Sequence, residues 1–207
     1  MTLLEVCVDS IEDLLRAQSG GAQRIELCAR LDLGGLSPTP QLLESALRAA
    51  TVPLHVMVRP REGDFVYDAA EFERMRSEIV ALRACDVAAV VLGILRVDKT
   101  VDVGRTRELV ALAKPLSVTF HRAFDETPDK ARALDELIAL GVERVLTSAG
   151  APTAHAGRNE LAALVSRARG RITILAGGGV RAHNWRELVR DSRVAEIHSS
   201  TVFALDA

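Results

Sequence analysis

The chain has few lysines, few cysteines and no long hydrophobic run, and each shortage excludes something. Only three of the 26 basic residues are lysines (Lys99, Lys114, Lys130). The three cysteines are an odd number, which argues against a disulfide framework and for a reducing cytoplasm. The longest apolar run, Val87 to Leu95, is about half the ~20 residues needed to cross a bilayer, so no membrane span is expected. The first residues, Met1-Thr2-Leu3-Leu4-Glu5, lack the basic start of a secretion signal. A net charge of −2 gives no cationic footprint for nucleic acid. Neither GxxxxGK[ST] nor GxGxxG occurs, so a nucleotide-binding fold has no support.

What the 207 residues do contain is regular alternation, with 48% apolar and 26% charged residues in proportions ordinary for one soluble domain, taken as 1–207. Eight β-branched runs read as strands: Leu3–Val8, Arg24–Ala29, Pro53–Arg59, Val87–Leu95, Leu116–Arg122, Arg144–Ser148, Arg171–Ala176 and Val194–Ser199. Amphipathic stretches lie between them. Ser10 with Asp13, Thr39-Pro40 and Thr127-Pro128 mark helix starts, and Gly20-Gly21 and Gly141 mark stops. Strict alternation predicts a parallel sheet covered by helices, and eight units predict a closed (β/α)8 TIM-type barrel. Too few residues follow the eighth strand for a full closing helix, so the final helix is expected to be reduced or missing.

Strand parity then sorts the side chains. Apolar residues must face the helices, which turns Glu5, Cys7, Asp9, Arg24, Glu26, Cys28, His55, Met57, Arg59, Thr119, His121, Glu196 and His198 into the lumen. Barrel interiors are usually aliphatic, and burying so many ionisable groups costs several kcal/mol each unless they are paired or ligated. A cross-bonded salt-bridge network of purely structural character is one outcome; a functional site is the other.

Several chemistries fit these residues. Cys7 and Cys28, on neighbouring strands, could share a soft ion such as Cu(I), or Zn, with Met57 or His55 as a third donor. They could equally be inert buried thiols, or form a disulfide if their Cα atoms lie about 4.4–6.8 Å apart. Cys85 ends a helical stretch and is expected in the core. Arg59 and Arg61, where the third strand meets its loop, suit a carboxylate or phosphate. Arg24 and His198 add positive charge, and Gly177-Gly178-Gly179 follows the seventh strand, where barrels often bind phosphate; a tight turn needing positive φ explains the glycines as well. Asn184 could cap the next helix. His121, with Glu5 or Glu26, could move protons, while His155 and His183 read as solvated. No lysine falls on a strand, which excludes a Schiff-base aldolase with a lumenal lysine.

Glu5-Val6-Cys7-Val8-Asp9, Arg24-Ile25-Glu26-Leu27-Cys28, Gly34-Gly35-Leu36-Ser37-Pro38, His55-Val56-Met57-Val58-Arg59-Pro60-Arg61, Phe120-His121-Arg122-Ala123-Phe124-Asp125, Leu146-Thr147-Ser148 and Gly177-Gly178-Gly179 together resemble the CutC copper-homeostasis family. The resemblance runs in order from about residue 4 to residue 200. It implies a cytosolic, oligomeric TIM-type barrel linked with copper, in which Cys7 and Cys28 match the pair proposed to hold Cu(I). The chain departs from the family at Ala149-Gly150, where Gly-Gly is usual, which narrows the rim. It is also shorter than most members. Two functions follow: a copper-homeostasis protein binding Cu(I) through the cysteine pair, or a lyase, isomerase or hydrolase acting on a small anionic or phosphorylated metabolite, with copper incidental.

Overall fold

The computed structural model describes residues 2–205. Eight parallel strands close into a barrel in chain order: β1 (Leu3–Val8), β2 (Arg24–Leu27), β3 (Leu54–Met57), β4 (Ala89–Leu92), β5 (Ser117–Phe120), β6 (Arg144–Thr147), β7 (Thr173–Gly177) and β8 (Glu196–Ser199). β8 pairs with β1, so the sheet has no edge. Followed once around, the pairing register slips by eight residues, the shear of a TIM barrel. Several strands are shorter than the apolar runs that announced them. In β3 and β4 the remainder of the run continues as buried loop.

Seven helices cover the sheet: α1 (Ile11–Ser19), α2 (Pro40–Ala49), α3 (Ala69–Leu82), α4 (Val103–Ala113), α5 (Lys130–Ala139), α6 (Arg158–Ala168) and α7 (Trp185–Ser192). Their ends follow local chemistry. Ser10 Oγ accepts the Asp13 N–H at 3.1 Å, and Thr39 Oγ1 accepts that of Leu42 at 3.2 Å with Pro40 in the first turn. The expected start at Thr127-Pro128 is corrected. Thr127 closes a 3-10 turn, Arg122–Glu126, and Asp129 caps α5 through the Arg132 N–H, because a carboxylate two residues on is the better acceptor. Among the described residues no helix follows β8. Val202 instead lies over Gly20, so closely that a Cβ there would collide with it, and Phe203 is buried.

Two apolar layers result. Leu4, Val6, Val8, Ile25, Leu27, Val56, Val118, Phe120 and Ile197 join the helices in one large core outside the sheet. Inside, Cys28, Met57 and Val91 make a small separate cluster. The parity argument therefore holds, and the interior is polar: Glu5, Arg24, Glu26, His55, Arg59, Thr119, His121 and His198 are all buried. Cys85 meets the core at its margin, half-buried and packed against it just after α3, with its thiol turned to the Ala81 carbonyl.

Candidate functional site

The interior divides at about mid-height. In the lower half Glu5 is fully buried and receives Arg24 Nε at one oxygen and His198 Nδ1 at the other, the latter at 2.7 Å. Arg24 also reaches Glu196 at 2.6 Å, and Arg144 Nε meets the same carboxylate oxygen at 2.7 Å. Two carboxylates thus face two guanidiniums. Burial alone would raise the Glu5 pKa, but the His198 hydrogen bond and the Arg24 charge hold it far below the usual range. Burial pushes His55 down to about 4; Arg24 and Arg144 add to this against the pull of Glu5. Arg24, expected to hold a substrate anion, is therefore already occupied by protein carboxylates.

The upper half opens as a cavity of about 270 Å³ at the C-terminal mouth, lined in part by Cys7, Glu26, Met57, His121 and His198. The register sets Cys7 beside Glu26. One ligand atom from each of Cys7, Glu26 and His198 lies within 4.8 Å of the others. Glu26 Oε2 has no hydrogen-bond partner, and burial, helped by the Glu5 charge, pushes its carboxyl up to about 7 against His198 and Arg24. His198 runs the other way. Burial opposes its proton, yet Cys7, Glu26 and Glu5 together raise its pKa well above the ordinary value.

The cysteines do not share one environment. Cys7 lines the cavity, and its thiol points to the Ser199 carbonyl at 3.6 Å. Cys28 points to the Val8 carbonyl at 3.5 Å and is sealed beneath Gly35, where a Cβ would sit 3.4 Å from both Cys28 Sγ and Met57 Cε. Its pKa is pushed strongly up by burial, then by Glu26, Cys7 and Asp9. Both thiols are free.

His121 is boxed in. Its ring fills the space that a Cβ at Gly93 would need, and the Phe65 ring packs against it, tilted by 51°, with centroids 4.9 Å apart. Its Nδ1 accepts the Ala123 N–H at 3.2 Å, which leaves the proton on Nε2, an atom with no partner. Burial and the Arg59 charge drop its pKa to about 3. At neutral pH it is uncharged, with its Nε2–H available as a donor.

The rim is basic. Arg59 ties two loops together through the carbonyls of Leu33, Gly34, Gly35 and Gly63, and its Nε is left over. Arg122 bonds Asp125 at 2.8 Å and Ser148 at 3.1 Å while its guanidinium lies against Gly178. Arg181 reaches the Val180 carbonyl and Ser200. Gly178 and Gly179 line the mouth at φ +105° and +70°, and Gly177 is needed because Leu146 leaves no room for a Cβ. Asn184 fixes this turn through the Arg181 N–H and the Gly179 carbonyl. Arg61 lies outside the cavity, committed to Glu71 and Asp64 and stacked on Tyr67, so it departs from its expected place as an anion clamp. Sequence reasoning puts Arg122 at the rim beside His121 without giving it an anion to hold, and misses Arg181; the signal that could find Arg181 is adjacency to the glycine triplet.

The sequence model of the CutC family matches residues 2–203. The family protein CutC of Vibrio campbellii is 46% identical over 201 residues, covering 96% of this chain and 81% of its own length. That of Mesorhizobium japonicum is 48% identical over 198 residues, 96% of this chain and 77% of its own. The crystal structure of a putative copper homeostasis protein CutC from Streptococcus agalactiae superposes with a TM-score of 0.92 at 32% identity, covering 98% of this chain and 100% of that one. Deoxyribose phosphate aldolase from Aeropyrum pernix, at 15% identity and a TM-score of 0.69, shares the barrel fold.

Proposed function

The chain belongs to the CutC family, and from that premise we propose that it is an enzyme that takes a small anionic metabolite into the mouth of its barrel. The observation that carries this reading is the pairing of a basic rim with a polar, buried floor in one small cavity. Arg122, Arg181 and the Gly178-Gly179 turn form the rim on one side and Arg59 on the other. Guanidiniums and glycine turns suit phosphate or carboxylate. His121 supplies an uncharged Nε2–H for a substrate oxygen, and Cys7, Glu26 and His198 form the floor on which bonds would change. Such a floor serves a lyase, isomerase or hydrolase. Schiff-base chemistry is not available to it: Lys99 pairs with Glu126, Lys114 ends α4 and Lys130 begins α5.

Inorganic phosphate and 2-phosphoglycolate are suitable probes. Each should raise the melting temperature of the wild type, and Arg122→Ala should lose most of that shift while keeping its own fold, since the side chain is half exposed. A wild type indifferent to both anions would count against the reading.

One observation favours a second reading, in which Cu(I) is cargo. Cys28 and Met57 meet beneath Gly35, and Cys7 lies close enough to act on Cys28 electrostatically. Two sulfurs beneath Gly35, with the Cys7 thiol on the adjoining cavity wall, suit a soft ion, with Cys7 and Cys28 as thiolates and Met57 or His55 as the further donor. Competition with a Cu(I) chelator tests it: unchanged affinity after Cys7→Ser and Cys28→Ser together would end this reading.

A further inference from the structure

We propose that Cys7, Glu26 and His198 bind a borderline divalent cation of the zinc type, with the fourth coordination position open to the cavity. Thiolate, carboxylate and imidazole are the donors that such an ion accepts together, at about 2.0–2.3 Å from each. Tetrahedral ligands around such an ion stand roughly 3–4 Å apart, and the three donor atoms here are already within 4.8 Å of one another. A small inward movement of side chains completes the set.

Three further features of the structure point to the same ion. Glu5 holds His198 Nδ1 at 2.7 Å, which leaves Nε2 as the nitrogen free to ligate. A carboxylate behind a histidine is the usual support of a metal-bound imidazole. Glu5 is itself fixed by Arg24, so the support is rigid. Next, Glu26 Oε2 is buried without any partner. A buried polar atom left unsatisfied is costly, and a bound cation would satisfy it. Finally, charge favours a ligand above the ion. Cys7 thiolate and Glu26 carboxylate with neutral His198 neutralise a divalent ion, and the arginines of the rim add the positive charge that draws an anion to the open position. An anion held by Arg122 and Arg181 would meet the ion there.

The donor set also separates this site from the sulfur corner. Cys28 is not a member, because its thiol is turned to the Val8 carbonyl and sealed away from the cavity. A mixed sulfur, nitrogen and oxygen set prefers Zn²⁺ to hard Mg²⁺, which wants oxygen alone, and Cu(I) prefers sulfur. What the ion does there rests on the proposed enzyme function; that it binds rests on the three donors.

The test is a titration of the reduced, metal-free protein with Co²⁺, then Zn²⁺, under argon. The expected result is one Co²⁺ per chain with intense tetrahedral ligand-field bands and one thiolate-to-cobalt charge-transfer band, all lost as Zn²⁺ displaces it. Glu26→Gln should weaken binding at least tenfold, and Cys28→Ser should leave affinity and spectrum unchanged. A weak octahedral spectrum, the absence of a thiolate band, or loss of binding in Cys28→Ser would each overturn the proposal. The wild-type spectrum and the Cys28 variant decide the matter even if Glu26→Gln folds poorly. A tetrahedral cobalt spectrum alongside a failed phosphate test would sink the enzyme reading and leave the metal site standing; the converse pair of results would do the opposite.

Discussion

The two halves of the barrel interior are built from the same residue types and do different things. In the lower half Glu5, Arg24, Glu196 and Arg144 face one another with bonds of 2.6–2.7 Å to Glu196 and a still shorter one between Arg24 and Glu5. In the upper half Glu26 Oε2, His121 Nε2 and Arg59 Nε have no hydrogen-bond partner; in the lower half His55 Nδ1 also lacks one, but it stands 3.4 Å from the Glu5 carboxylate. Paired polar groups in a barrel are architecture, because the alternative is an uncompensated charge in a low-dielectric interior. Unpaired ones leave free energy that a ligand can recover. The salt-bridge network that strand parity offers as an alternative to a functional site is therefore real, but it occupies only one level of the lumen.

The sharpest way to break this contrast is to open the lower half. Arg24→Met removes the cation that both Glu5 and Glu196 share, leaving two buried carboxylates short of charge. Breaking a buried ion pair from one side costs about 3–5 kcal/mol, and the urea midpoint should fall accordingly. If stability changed by less than about 1 kcal/mol, the lower network would not be a structural layer.

The next effect is on pH dependence. His55 and His121 have pKa values lowered to about 4 and about 3 from an ordinary 6.5. Above pH 6.5 both are neutral in the folded and unfolded chains and contribute no slope. Below it the unfolded chain takes up protons that the folded chain refuses, so stability falls as pH drops from 6.5 towards 3–4. The loss is on the order of 3 kcal/mol per histidine at the acid limit. His198 has its pKa raised, so its contribution is complete below 6.5 and fades as pH rises above it. Glu5 adds stability above 4.5 that disappears on further acidification. Glu26, raised to about 7, works the other way and loses stability as pH rises from 4.5 to 7. Urea midpoints should therefore peak near pH 6, and His121→Asn should flatten the acid limb. A midpoint that stays level down to pH 4.5 would contradict the buried, neutral imidazoles.

Much of this architecture is legible in the amino-acid sequence. Period-two alternation in Glu5-Val6-Cys7-Val8 and Arg24-Ile25-Glu26-Leu27 is enough to choose the inward set, since a helix-covered barrel admits only one parity. Eight alternating units are enough to propose closure. Height and direction are not legible in the same way. Cys7 and Cys28 look equivalent along the chain, yet the pairing register sets Cys7 level with Glu26, so Cys28 stands one side-chain layer above it, under the Gly35 loop. Arg59 and Arg61 look like a matched pair of clamps, yet alternate residues keep to one side of a strand only while the strand lasts, and β3 ends at Met57. Beyond that point the loop decides, and Glu71 and Asp64 take Arg61 away from the mouth. Ala149-Gly150, expected to narrow the rim, forms a left-handed turn, φ +59° and +80°, held by Asp125 through the Gly150 N–H.

The smallest intervention tests the upper half alone. Gly93 has no side chain because the His121 ring fills that space, and Ala123 would stand only 3.0 Å from an added Cβ. Its φ is not in the left-handed region, so the glycine is there for room rather than for backbone freedom. Gly93→Ala must push the ring aside, and overpacking of this kind costs about 1–3 kcal/mol. The lower network is untouched by that push, so the variant should still fold to the same barrel and keep the His198–Glu5 contact. What it should lose is the fixed Nε2–H. Phosphoglycolate, whose carboxylate can accept that hydrogen bond, should then suffer more than inorganic phosphate, which needs only the arginine rim. Equal losses for the two anions would mean that His121 is packing and nothing else, and the unpartnered atoms above mid-height would then have to be read as the lower ones are.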